Sequence, residues 1–306
     1  MAKIIKPHLL VVGGTGFIGY HLIAAAKKRG WKVTSVSLNH PKKYRFLDKV
    51  KYIKVDISNL NLLKKKLKKS YTYIVNLGGY GIHNSYNDGG KKIIDAHFLG
   101  MVNLTKIFTK KKINKFVQIG SSEEYGEIKG PQKENNQGSP TSPYALAKLA
   151  CTNYLNMLYK INNYPATILR LFLVYGPAQD YNRVLPQVIK GCINNARFPT
   201  SKGNQFRDFC YVDDVIKAIF LCLKLRKTNG KIYNIGSGKP QKIKKVINKI
   251  CKIIGGGKPQ FGKKKLIRKE NMNLYPNIEK AKSELKWNPK INFDKGLKIV
   301  INSYRK

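Results

Sequence analysis

The sequence predicts an α/β protein: a Rossmann-type doubly wound parallel sheet with helices on both faces and a smaller C-terminal substrate-binding lobe. Three observations predict it. Short apolar, β-branched runs alternate with helical stretches through the first half of the 306 residues; a spaced glycine cluster follows the first such run; and the pattern loosens after Gly176-Pro177.

The strands are placed first. His8 to Val12, Trp31 to Ser37, Lys51 to Val55, Tyr71 to Asn76, Lys115 to Ile119 and Ala166 to Arg170 are β-branched, apolar and short. Between them, Gly16 to Arg29, Leu60 to Leu67, Lys91 to Thr109 and Pro143 to Tyr159 carry apolar residues near a 3.6-residue period, which predicts helices. Asp213 to Leu225 reads as one more helix and Lys231 to Ile235 as one more strand. The large lobe is therefore drawn as residues 1–175 with a return of about 208–236, and the small lobe as 176–207 and 237–306. No internal repeat is visible.

Composition narrows the class. The formal net charge of +43 raises a nucleic-acid or anionic-membrane partner. The excess is almost all lysine, 50 against 9 arginines, and arginine is the side chain whose planar fork suits phosphate and bases. Runs such as Lys64-Lys65-Lys66 and Lys110-Lys111-Lys112 lie within helical stretches and read as solvated faces, so no nucleic-acid partner is expected. Five cysteines without Cys-x-x-Cys spacing predict neither a metal site nor a disulfide framework, and fit a reducing compartment. No apolar run reaches the roughly 20 residues of a membrane span, and the opening residues are too polar for a secretory signal, so a cytoplasmic protein is expected.

The glycine cluster carries the first chemistry. Gly13-Gly14-Thr15-Gly16-Phe17-Ile18-Gly19 stands at the first strand-to-helix junction. There glycines permit a tight turn and close backbone approach to a pyrophosphate, while the helix N-terminus offers free N–H groups to the anion. The bland alternative is a structural turn. After strand two, a carboxylate would hold the ribose 2′-hydroxyl of NAD. This chain has Ser37 and Asn39 there, followed by Lys42, Lys43 and Arg45, which leans toward NADP(H) over NAD(H).

The second constellation is Tyr144 and Lys148, four apart at a helical start and so on one face. An ammonium beside a phenol lowers the phenol's pKa toward a useful range. Tyr125 and Lys129 repeat the spacing, but Tyr125 follows a strand and precedes Gly126, so Tyr144 is preferred. Ser121, at the carboxyl end of strand five, stands where ligands sit in an open parallel sheet.

Gly13, Gly16 and Gly19, Ser121 ahead of Tyr125-Gly126, and Tyr144 with Lys148 occur in an order that resembles the extended short-chain dehydrogenase/reductase family, its nucleotide-sugar epimerases, dehydratases and ketoreductases. The resemblance continues through Arg170 with Tyr175-Gly176-Pro177, Arg207-Asp208-Phe209 with Val212-Asp213-Asp214, and Tyr233 to Gly238. It implies that Tyr144 exchanges a proton at sugar C4, that Lys148 tunes it and holds the nicotinamide ribose, and that Ser121 orients the same oxygen. It further implies Phe17 and Ile18 in the phosphate loop, Asp56 and Ile57 beside the adenine, Arg207 and Arg268 on a substrate diphosphate, and a homodimer through the helices at 91–109 and 143–159.

Four positions depart from the family pattern. Leu173 replaces an Asn that touches substrate phosphate, His97 replaces an Asn, and Gly78-Gly79 replaces a small Ala pair. Ser122-Glu123 resembles the pair with which sugar 4,6-dehydratases remove water, and Glu123 is either such a base or a turn residue. The leading expectation is reduction of a nucleotide-linked 4-keto sugar. A nucleotide-sugar 4-epimerase and a 4,6-dehydratase follow, and a non-catalytic dinucleotide- or RNA-binding protein is the reading from another class.

Overall fold

The alternation of apolar runs and amphipathic stretches is realised, in a computed structural model, as a seven-stranded sheet. Residues 6–79, 86–109, 111–266 and 270–305 are described. The strands are β1 (His8–Val12), β2 (Lys32–Ser37), β3 (Lys51–Lys54), β4 (Tyr73–Asn76), β5 (Lys115–Ser121), β6 (Ala166–Leu171) and Lys231–Ile235. Their order is Lys231–Ile235, β6, β5, β4, β1, β2, β3. β1 pairs in parallel with both β2 and β4, so the chain turns one way after β1 and returns on the other side. That reversal makes the carboxyl end of β1 the switch point where an open α/β sheet opens a crevice.

Helices follow the strands: α1 (Phe17–Lys28), α2 (Leu60–Lys66), α3 (Lys91–Ile94), α4 (Gly100–Phe108) and α5 (Pro143–Asn162). The periodicity over 91–109 predicts one uninterrupted helix. The structure instead inserts a π turn, Asp95–Leu99, between α3 and α4. α5 begins where its sequence says it should: the Ser142 hydroxyl accepts from the Ala145 N–H at 3.1 Å and Pro143 occupies the first turn.

Contacts divide the chain into two units. Unit 1 holds Met1–Glu124, Pro140–Arg170 and Ile216–Tyr233; unit 2 holds Tyr125–Ser139, Leu171–Val215 and Asn234–Lys306. The stretch Tyr125–Ser139, drawn above within the large lobe, thus groups with unit 2, where the buried Tyr125 hydroxyl donates to Asn234 Oδ1 at 2.7 Å.

In unit 1, one face of the sheet packs Leu10, Val36, Ile74, Phe116 and Ile168 against Leu63 of α2, Leu104 and Phe108 of α4 and Leu155 of α5. On the other face α1 buries Leu22, Ile23 and Ala26, and Trp31 stacks on Tyr73 with Phe220 edge-on. Unit 2 is built from small sheets: Leu173–Tyr175 with Phe209–Tyr211, Phe206–Arg207 between Gln241–Lys242 and Asn273–Leu274, and Arg197–Thr200 with Lys258–Phe261. Among the described residues, no helix is long and apolar enough to cross a membrane. All five cysteines are free thiols.

Lys115 is a buried cation at the start of β5. Its ammonium donates to the Thr228 hydroxyl at 2.7 Å and to the Asn229 side chain. Burial pushes its pKa down from 10.5 to about 8. Above pH 10.5 the side chain is neutral folded or unfolded; as pH falls toward 8 the unfolded chain takes up a proton that the folded chain refuses, and stability is lost. Lys115→Met is therefore expected to raise Tm by a few degrees at pH 7. Thermal scans from pH 7 to 10.5 should show that gain shrinking with rising pH; a gain independent of pH would contradict the burial penalty.

Candidate functional site: a dinucleotide crevice and a Ser-Tyr-Lys edge

The turn after β1 is closed by glycine. Gly13 has φ +77°, donates its N–H to the Val36 carbonyl at 2.7 Å, and a Cβ there would stand 2.8 Å from the Leu77 carbonyl group. At Gly19 a Cβ would stand 2.6 Å from the Gly14 Cα, so helix and turn approach to a distance that only glycine permits. Gly16 occupies the N-cap of α1 with no side chain to satisfy the first N–H groups. This is the cradle a pyrophosphate needs.

A cavity of about 240 Å³ opens against this turn. Its lining includes Gly13 and Gly16, Ser37 at the end of β2 and Asn39 beyond it, Asp56 and Ile57 after β3, and Gly78, Gly79 and Ala96. Six of the residues read from the sequence as cofactor contacts thus meet on one crevice. Phe17 and Ile18 lie half-buried in the first turn of α1, with the Phe17 ring edge-on to His21. The Asp56 carboxylate accepts from the Ser58 N–H at 2.9 Å and hydroxyl at 2.8 Å, and the Asn103 amide donates to the Ile57 and Ser58 carbonyls, which fixes the loop beneath the crevice.

The second group assembles at the carboxyl end of β5. Lys148 is buried, and its ammonium donates to the Ile119 carbonyl at 2.8 Å. Burial pushes its pKa down, opposed by Cys151 and Glu124. The same ammonium lies 5.7 Å from the Tyr144 ring centroid. Ser121, also buried, ends β5, and its hydroxyl accepts the Glu123 N–H at 3.2 Å. Glu123 sits half-buried in the 3-10 turn Ser122–Tyr125. Ser121, Tyr144 and Lys148 are not among the residues lining the cavity, but a phenol beside a desolvated ammonium, at the carboxyl edge of the same sheet, is equipped to move a proton while a hydride moves next to it.

Sequence reasoning missed the group that holds this edge together. Glu124 is fully buried; it accepts from Arg170 Nε at 2.7 Å, from the Thr152 hydroxyl at 2.8 Å and from the Ser121 N–H at 2.8 Å. One carboxylate thereby ties β5, α5 and β6. The signal was an arginine inside the buried run Ala166–Leu171, where a charge demands a partner.

In unit 2, Arg207 is buried and donates to Glu270 Oε1 at 2.6 Å and to the Phe206 carbonyl at 2.9 Å. It is a held cation, not a surface one. Asp208 beside it accepts from the Ser237 N–H and hydroxyl, and burial raises its pKa. Arg268 lies outside the described residues. No cluster of three or more metal-ligating side chains occurs among the described residues.

Comparison with known proteins agrees with this geometry. The model of the NAD dependent epimerase/dehydratase family matches residues 9–236. A putative UDP-glucose 4-epimerase of Methanocaldococcus jannaschii is 29% identical, over 96% of this chain and 97% of its own. The UDP-glucuronic acid 4-epimerase of Bacillus cereus, solved in complex with UDP-glucuronic acid and NAD, is 26% identical with a TM-score of 0.87, covering 97% of this chain and 99% of its own. The UDP-glucose 4-epimerase of Thermotoga maritima, solved with UDP-glucose, shares the fold with a TM-score of 0.90 at 24% identity, covering 97% of this chain and 98% of its own.

The glycine cradle yields a direct test. Gly19→Ala places a methyl against Gly13 and Gly14, and NAD affinity measured by calorimetry should fall by about tenfold or more, a loss of ~1.4 kcal/mol. Unchanged affinity would remove the pyrophosphate from this turn.

Proposed function

The chain belongs to the NAD-dependent epimerase/dehydratase family, and within it we propose a nucleotide-sugar 4-epimerase that works with NAD(H). The observation that carries this reading is Tyr144 beside the buried Lys148, bonded to β5 near its Ser121 end, at the same carboxyl edge of the sheet as the glycine turn after β1. The 4-epimerase names of relatives matched along nearly their whole length support it, and point to a UDP-hexose as the substrate class.

When bound, the nicotinamide supplies the acceptor and donor of the C4 hydride. The protein's own groups handle everything else. The Tyr144 side chain would take the C4 hydroxyl proton as phenolate while the carbon–oxygen bond gains double-bond character, and would return that proton as phenol when the C4 oxygen becomes a hydroxyl again. The Lys148 ammonium biases that phenol toward its ionised form. The Ser121 hydroxyl donates to the same oxygen. Gly13, Gly16 and the first turn of α1 hold the pyrophosphate; Ser37 and Asn39 take the ribose, Asp56 and Ile57 the adenine. Arg207 supplies a cation to the sugar-nucleotide diphosphate, and Arg268 is a candidate for a second.

NAD(H) is favoured over NADP(H) because the cations that favoured a 2′-phosphate do not line the crevice. Lys42 and Arg45 instead flank the Tyr44 ring, 5.9 Å and 5.2 Å from its centroid. A homodimer through the outer face of α5 is part of the same proposal, since that face exposes Leu146 (51%), Met157 (43%) and Ile161 (69%).

Incubating the purified protein with UDP-glucose should give UDP-galactose with no net consumption of cofactor. Tyr144→Phe should lower kcat by about 10²–10⁴-fold, as loss of a general acid–base does. Glu123→Gln should leave kcat unchanged; a collapse would favour the dehydratase, and steady oxidation of NADPH with a 4-keto sugar would favour the reductase. Light scattering should report a dimer, and Leu146→Glu with Met157→Glu should shift it to monomer; a wild-type monomer would remove the α5 interface.

A further inference from the structure

We infer that His97 is a positioning residue for Tyr144, and that residue 79 is glycine so that the imidazole fits. The inference rests on the reading of Tyr144 as the acid–base group and adds a side chain that reading does not use.

His97 is buried, 4% exposed, in the π turn Asp95–Leu99. Its ring meets the Tyr144 ring edge to face, with centroids 5.0 Å apart and planes at 84°. That geometry sets the negative face of one π-system against the positive edge of the other and favours one ring orientation. The π turn is itself fastened to α5, because the His97 carbonyl accepts from the Cys151 thiol at 3.4 Å. The imidazole is thus held on the helix that carries Tyr144 and Lys148.

Gly79 supplies the space. Its φ is +118°, and a Cβ there would fall within contact distance of His97 Cε1, Nδ1 and Nε2 at once. No side chain at 79 coexists with the imidazole where it stands. Two positions that depart from the pattern this chain resembles therefore explain each other: the small residue at 79 is reduced to glycine where a polar residue at 97 is enlarged to histidine. The Tyr144 ring then has two fixed neighbours, the Lys148 ammonium and the His97 ring. A phenol that exchanges a proton must be held to within a fraction of an ångström of the reacting oxygen, and ring packing holds it without consuming the hydroxyl.

A double-mutant cycle tests the fit. Gly79→Ala, His97→Asn and the double variant are compared by thermal unfolding without added cofactor. Backbone strain at residue 79 is common to both backgrounds and cancels, so Gly79→Ala should lower Tm clearly in the wild-type background and less in the His97→Asn background. Equal losses overturn the contact. Kinetics test the positioning: with UDP-glucose as substrate, His97→Ala should lower kcat by about tenfold while KM and NAD affinity stay within about twofold. An unchanged kcat, or a loss confined to KM, overturns it. Failure of the underlying reading looks different, since it appears as an active Tyr144→Phe enzyme whatever the cycle returns.

Discussion

A lysine ammonium buried against the Ile119 carbonyl is the contact on which the site depends. It crosses from α5 to β5 two residues before Ser121, and with the Glu124 carboxylate, which bonds Thr152 of α5 and the Ser121 N–H, it sets α5 against the end of β5. A charge held in this way is costly unless its surroundings compensate. Two features compensate: the strand carbonyl accepts directly, and the Glu124 carboxylate draws the Lys148 pKa upward against burial. Glu124 in turn is neutralised by Arg170 and bonded by Thr152 and the Ser121 N–H. The carboxyl end of β5 therefore stands on a buried polar network in which each member satisfies another, the condition under which such networks rigidify a fold.

The crevice obeys a different constraint, that of space. Gly13, Gly19 and Gly79 are positions where a Cβ would collide with backbone or with a buried ring. At Gly13 the saved volume lets the turn after β1 approach the Leu77 carbonyl beyond β4, at Gly19 it lets helix α1 approach that turn, and at Gly79 it admits the His97 imidazole. Backbone closeness can hold an anion through N–H groups that need no side chain, and among the described residues the crevice is lined by glycines, small polar and apolar residues and by no lysine despite the abundance of lysine.

The charge itself lies elsewhere. Ion pairs such as Lys27 with Asp48, Lys249 with Asp294 and Lys282 with Glu279 are solvent-exposed and contribute little individually. With 59 basic and 16 acidic residues, most lysines face like charges, and a solvated surface is the arrangement that costs least. Buried basic side chains are held by defined partners: Lys115 on Thr228, Lys148 on Ile119, Arg170 on Glu124 and Arg207 on Glu270.

The sequence alone determined the elements and their type, because period and composition are local. The strands beginning at His8, Lys51, Lys115, Ala166 and Lys231 start where the apolar runs start, and the glycine turn after β1 is legible because phosphate cradling needs glycines at fixed spacing. The different settings of Tyr144 and Tyr125 were also readable: one opens a capped helix and the other follows a strand, where it is buried and bonded to Asn234. Tertiary structure alone decided the rest. The π turn at Asp95–Leu99 brings His97 onto Tyr144. The Glu124–Arg170 pair joins residues 46 apart in sequence, and its geometry exists only once β5 and β6 lie side by side. Side chains brought together by strand pairing leave no periodic trace, so pattern finds the scaffold and the Tyr144 and Lys148 spacing on one helix, while the contacts that hold them appear only when the sheet closes.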